Sequence, residues 1–91
     1  MKIEIKKFGE ILTSRPAGHD AGLSIRAYFK PPANEPLELD FDGVLAVGPS
    51  WLDEVLTILE TEYGKERVIC LPSDNASVVE SLKVIREQKS A

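Results

Sequence analysis

Leu37-Glu38-Leu39-Asp40-Phe41-Asp42-Gly43-Val44-Leu45, running on through Ala46-Val47-Gly48-Pro49-Ser50-Trp51-Leu52-Asp53-Glu54-Val55-Leu56, sets the fold class. Leu37 to Phe41 reads as a short strand, and Asp42-Gly43 supplies turn chemistry directly after it. Leu52, Val55, Leu56 and Leu59 then recur at helical spacing, with Trp51 and Ile58 widening the apolar stripe. Tyr63-Gly64 closes that helix, because glycine suits the unusual backbone angles that follow a helix end.

Each flank of this stretch repeats the pattern. Toward the N-terminus, Ile3, Ile5 and Phe8 alternate with charged residues, as in a strand with one wet face. Ser14 then caps a helix with Pro16 in its first turn, running to about Lys30. Leu23, Ile25, Ala27 and Phe29 are its expected buried side, while Gly18 and Gly22 each weaken the helix by roughly 1 kcal/mol against alanine. Lys30-Pro31-Pro32-Ala33-Asn34-Glu35-Pro36 can only be a connector. Toward the C-terminus, Arg67-Val68-Ile69-Cys70-Leu71 is nearly all apolar, which predicts a central strand covered on both faces. Val78, Val79, Leu82 and Ile85 mark a last helix, with Asp74 as its expected cap. The expected fold is α/β, in the order βαβαβα: a mixed sheet of about three to four strands with a parallel core and helices packed on it, the amphipathic first strand at an edge.

Ninety-one residues suit a single domain spanning 1–91. A net charge of -4 argues against a nucleic-acid module, since phosphate contacts need clustered lysine and arginine. The alternating N-terminus resembles neither a signal peptide nor a membrane span. One cysteine, Cys70, fits a reducing compartment, so the expected location is cytoplasmic. Cys70 lies in the most apolar strand and reads as a small buried hydrophobe. His19 has no companion ligands at metal-binding spacing, and neither metal nor cofactor is expected.

Two motifs carry possible chemistry. Asp40 and Asp42, at the end of an apolar strand, resemble the first motif of the haloacid-dehalogenase phosphatases, in which one carboxylate attacks phosphorus and the next acts as acid and base beside magnesium. Ser73 could imitate a second element of that machinery. No later strand supplies its second acidic pair, because the chain closes in a helix. The plainer reading makes Asp40 and Asp42 the shapers of a strand end and turn.

A wider pattern covers about residues 3–87. Phe8-Gly9-Glu10-Ile11-Leu12-Thr13-Ser14-Arg15, then Leu39-Asp40-Phe41-Asp42-Gly43-Val44, then Pro49 to Leu56, with Tyr63-Gly64 through Asn75 later, resembles the bacterial STAS-like domain family of unknown function. That family is in turn similar to the STAS domains of anti-sigma-factor antagonists, which present a phosphorylatable serine at a helix start. Ser50 stands where that serine does, although Gly48, Pro49 and Trp51 differ from the antagonist motif. The resemblance implies a non-catalytic regulatory module that binds a protein partner, such as an ATP-binding kinase-like protein or an anti-sigma regulator. It places the contact edge at Pro49, Ser50 and Trp51, with Asp53 and Arg15 nearby. A small-anion or nucleotide sensor at the same helix start is a further alternative.

Physical chemistry offers simpler roles for the same residues. Ser50 and Asp53 have the spacing of a capping box in an acidic variant. Trp51 either completes the core stripe or anchors a partner. Arg15 either holds an acidic group across the fold or binds an anion beside Ser50. Oligomeric state is left open by the sequence.

Overall fold

The computed structural model describes residues 1–90, excluding the side chains of Lys89 and Ser90. Its strands are β1 (Lys2–Glu4), β2 (Ile11–Leu12), β3 (Leu37–Asp40), β4 (Ala46–Val47) and β5 (Val68–Cys70). Its helices are α1 (Arg15–Tyr28), α2 (Pro49–Tyr63) and α3 (Ala76–Ser90), with short 3-10 turns over Ile5–Phe8 and Lys65–Arg67. The strands form two sheets, β1-β3-β5 and β2-β4, and every pairing is parallel. This is the α/β architecture expected from the strand–helix alternation.

Register explains the two faces of the larger sheet. Ile3 sits beside Leu39 and Leu39 beside Cys70, so these side chains share a face with Leu37 and Val68. Ile3, Leu37 and Leu39 are buried in one cluster with Trp51, Leu52, Val55 and Leu59 of α2. Lys2, Glu38 and Ile69 are the alternate residues and line the opposite face, where Lys2 and Ile69 are exposed. The helices therefore leave this face to solvent.

This arrangement corrects the reading of Arg67–Leu71. β5 is an edge strand, and Ile69 is 41% exposed. Its continuous apolar run suggested two covered faces, but the central position belongs to β3, whose charged residues point to the open side. The first strand does lie at an edge, as its alternation predicts. It is shorter than expected, because the chain turns into the 3-10 segment at Ile5 while keeping that side chain buried.

Ser14 caps α1, its hydroxyl accepting the Ala17 N–H at 3.2 Å. The helix ends at Tyr28, and its buried line is Gly18, Ala21, Gly22 and Ile25; Ala27 is exposed. At both glycines α1 packs directly against α2. A methyl group on Gly18 would fall 2.4 Å from the Trp51 carbonyl oxygen, and one on Gly22 2.8 Å from Ile58 Cδ1. Helical propensity is given up here so that α1 and α2 can approach backbone to backbone.

The proline-rich connector is held by its carbonyls. Arg67 donates to Pro32 O at 3.0 Å and to Glu35 O at 3.2 Å, and the N-terminal ammonium donates to Pro36 O at 2.8 Å. Tyr63 Oη donates to Phe29 O at 3.0 Å. Gly64 ends α2 with φ of +92°, the positive angle that favours glycine there. Among the described residues, no helix is long and apolar enough to cross a membrane.

Candidate functional site

The β2-β4 pair launches two helices from one end. Leu12 runs through Thr13 and Ser14 into α1, while Val47 runs through Gly48 into α2, with Gly48 N–H donating to Leu12 O at 2.8 Å. Parallel strands with short exits put both helix starts side by side. Arg15, first in α1, thereby reaches α2 and donates through Nη1 to Asp53 Oδ2 and Glu54 Oε1, both at 3.3 Å. His19 Nδ1 lies 3.6 Å from Glu54 Oε2. Hydrogen bonding to Glu54 first, and then to Asp53, raises the Arg15 guanidinium pKa above its ordinary high value. Of the two roles open to Arg15, the fold shows the acidic partner.

Ser50 does not cap α2. The cap position is Gly48, Pro49 is the first helical residue, and Ser50 lies inside the first turn. Among the described residues no side chain caps this helix, whose first backbone bond runs from Leu52 N–H to Gly48 O at 3.2 Å. Proline is preorganised for the first helical position, which starts the helix one residue earlier than a Ser50 cap would. Asp53 faces Arg15 instead of reaching back, so the expected capping box is absent. Ser50 is half-buried beside exposed Pro49.

Trp51 is a core residue, 1% exposed, with its ring 6.5 Å from that of Phe8 at a tilt of 55°. A side chain so enclosed cannot serve as an exposed anchor. Among the exposed large apolar side chains, which also include Tyr28, Ile69 and Val79, are two near this end that the sequence pattern did not single out, Ile11 at 69% and Leu45 at 65%. Ile11 opens β2 in register with Ala46, and Leu45 lies in the bend just ahead of β4.

A polar clasp also escaped the sequence reading. Asn75 Nδ2 donates to Val44 O at 2.9 Å and Leu45 O at 3.0 Å, while its Oδ1 accepts from Ser77 N–H at 2.9 Å and Ser77 Oγ at 2.6 Å. Ser77 Oγ accepts the Val47 N–H at 3.0 Å, and buried Ser81 donates to Val47 O at 2.9 Å. Asn75, not Asp74, thus satisfies the start of α3 while holding the segment that leads into α2. Its amide has both donor and acceptor functions, which aspartate lacks. The one signal in the sequence was the spacing of Ser77 and Ser81, one helical turn apart.

Asn75→Ala should destabilise the protein by about 2 kcal/mol, since two carbonyls and Ser77 lose partners at once. Hydrogen exchange at the Val47 amide should accelerate at least about tenfold. An unchanged denaturation midpoint with unchanged exchange would show that the clasp is not structural.

Asp40 and Asp42 meet in a turn, with Asp40 Oδ1 accepting the Asp42 N–H at 3.0 Å and Lys2 Nζ 3.7 Å from Asp40 Oδ2. They line a hollow of about 290 Å³ with Ser73, Asp74 and Asn75. This lies beyond the carboxyl ends of β3 and β5, the usual end for ligands in parallel sheets. Among the described residues, no three His, Cys, Asp or Glu side chains are placed to hold a metal ion. Burial pushes the half-buried Cys70 thiol up to about 11, with Glu60 adding to the effect and Arg86 opposing it, so the reactive thiolate is scarce near neutral pH.

A sequence profile of the family described as a STAS-like domain of unknown function matches residues 21–71. No curated protein and no solved structure matches the chain.

Proposed function

The chain belongs to the STAS-like domain family of unknown function, and from that premise we propose that it is a non-catalytic, cytoplasmic regulatory module that binds a protein partner at the shared start of α1 and α2. The observation that carries this reading is the exposure of Ile11 and Leu45 at the entry to the two strands that launch both helices. Two large apolar side chains left exposed where neighbouring strands begin suit a contact surface. The half-buried Ser50 in the uncapped first turn of α2 supplies a control point, because the turn's free N–H groups and partial positive charge favour an anion. The partner class in keeping with the antagonist resemblance is an ATP-binding kinase-like or anti-sigma regulator.

Phosphorylation of Ser50 would add a charge of about -1.5 to -2 on the helical face that also carries Asp53 and Glu54. Affinity capture from the native host, with intact-mass measurement of the bait, tests both levels. The wild-type chain should retain one specific ATP-binding protein, Leu45→Asp should lose it while remaining folded, and Ser50→Asp should weaken retention by about tenfold or more. Equal retention by all three baits, or none by the wild type, would overturn the reading.

One observation favours a second reading. Asp40, Asp42 and Ser73 line a single hollow, as a magnesium-dependent phosphatase of the haloacid-dehalogenase type would require. That reading expects magnesium-dependent turnover of an aryl phosphate, lost in Asp40→Asn.

A further inference from the structure

The strand edges of this protein are treated unequally. Val47, on the outer side of β4, has its N–H and C=O taken by Ser77 and Ser81, so α3 closes that edge. β1 is flanked by exposed Lys2 and Glu4, which pair with Asp40 and Lys7, and such charges deter strand addition. β5 has neither protection. Leu71 N–H donates to Leu39 O at 3.0 Å, which sets the phase of the ladder: Ile69 and Leu71 turn their backbone groups to β3. The C=O of Val68 and both backbone groups of Cys70 therefore point away from β3, and among the described residues no further strand lies beyond them. Val68 N–H is taken by Lys65 O in the preceding turn. Beside this edge run two grooves of about 440 and 280 Å³, sharing Cys70, Leu82 and Arg86.

We propose that β5 pairs antiparallel with β5 of a second copy, about a two-fold axis at Ile69, joining the two three-stranded sheets into one. The edge is self-complementary under that rotation. Cys70 N–H of each copy donates to the Val68 carbonyl of the other, which leaves the Cys70 carbonyls to water and the Lys65–Arg67 turn undisturbed. Ile69 faces its own counterpart at a non-hydrogen-bonded position, where side chains approach most closely, and both leave solvent. The flanks agree in charge. Exposed Lys65 precedes the strand and exposed Asp74 follows it, so an antiparallel pair brings each Lys65 toward the Asp74 of the other copy. Parallel addition of the same strand would set lysine near lysine. Gly64 and Pro72 bound the paired segment, which keeps the contact small and the association concentration-dependent. This surface is separate from the Ile11–Leu45 patch and stands or falls without it.

Sedimentation equilibrium of the full chain, from about 1 µM to about 1 mM, reads the self-association directly. The wild type should pass from monomer toward dimer over that range. Ile69→Lys, which sets two like charges opposite each other on the axis, should weaken dimerisation at least tenfold while retaining the wild-type circular dichroism. A second variant guards against misfolding of the first: Ile69→Cys on a Cys70→Ala background, treated with oxidised glutathione. Exchange of the glutathione disulfide with the two introduced thiols, one from each copy, would give a linked dimer and two molecules of glutathione thiol. A wild type that stays monomeric throughout would overturn the proposal and leave β5 as an edge for a foreign strand. Equal association of wild type and Ile69→Lys, or no cross-linked dimer, would overturn it as well.

Discussion

Gly18→Ala should destabilise the protein by about 3 kcal/mol, even though alanine is the better helix former. Propensity alone favours the substitution by about 1 kcal/mol. Packing opposes it more strongly. The added methyl would lie 2.4, 2.8 and 2.9 Å from the carbonyl oxygen, Cα and carbonyl carbon of Trp51, all of them backbone atoms. Backbone within a helix has no rotamer to escape into, so α1 and α2 must separate and lose dispersion contacts along the interface. Gly22→Ala is the informative comparison. Its methyl meets the movable Cδ1 of Ile58 at 2.8 Å, with Ile58 Cβ at 3.2 Å and the Val55 Cα at 3.4 Å, so a rotamer change relieves the closest contact, a small shift must relieve the Cβ, and about 1–2 kcal/mol is expected. Urea denaturation with unchanged m-values would measure both. A Gly18→Ala protein as stable as the wild type, or one harmed less than Gly22→Ala, would show that the helices can part freely.

Trp51→Ala should lower stability by about 3–5 kcal/mol, a large share of the roughly 5–13 kcal/mol expected of a chain this size. Trp51 is among the largest fully buried side chains and meets Phe8 on one side, while its own backbone supports Gly18 on the other. Removing the indole leaves a cavity between the turn after β1 and both helices, and the Gly18 contact restricts how far α1 can collapse into it. The melting temperature should fall by about 15–30 °C. Trp51→Phe should lose much less, because most of the volume remains. As Trp51 is the sole tryptophan, its fluorescence in the wild type should be blue-shifted and should move to red as the core opens. A melt unaffected by Trp51→Ala would place the residue outside the core. Because Gly18 and Trp51 touch, the effects of the two substitutions should not add.

Some of the site was readable in advance for identifiable reasons. The Ser14 cap is a contact with the next turn, and the stripe of Leu52, Val55, Leu56 and Leu59 is a local period, so neither depends on distant chain. The Asp40–Asp42 turn is similarly local. Ser50 was misplaced because serine and proline both favour helix starts, and the choice between them rests on where β4 releases the chain. Asn75 could not be recognised, since its meaning comes from carbonyls some thirty residues earlier that only the fold delivers.

Local pattern in the chain is enough to specify the strand–helix alternation, the parallel α/β class, the Ser14 cap and the breaks at the Pro31–Pro36 connector and Gly64. Each follows from period, turn chemistry or proline and glycine geometry within a few residues. Long-range packing chose which strand is central, why Gly18 and Gly22 occupy a helix, and which side chains remain exposed. β5 reads as a core strand because its residues are apolar, yet burial is a property of neighbours, and β3 has them on both sides whereas β5 has them on one. The glycines look like defects along α1 and become contacts only when α2 lies against them. Ile11 and Leu45 are ordinary residues in the chain, and stay exposed where β2 and β4 begin because parallel pairing turns Leu12 and Val47, not them, into the core.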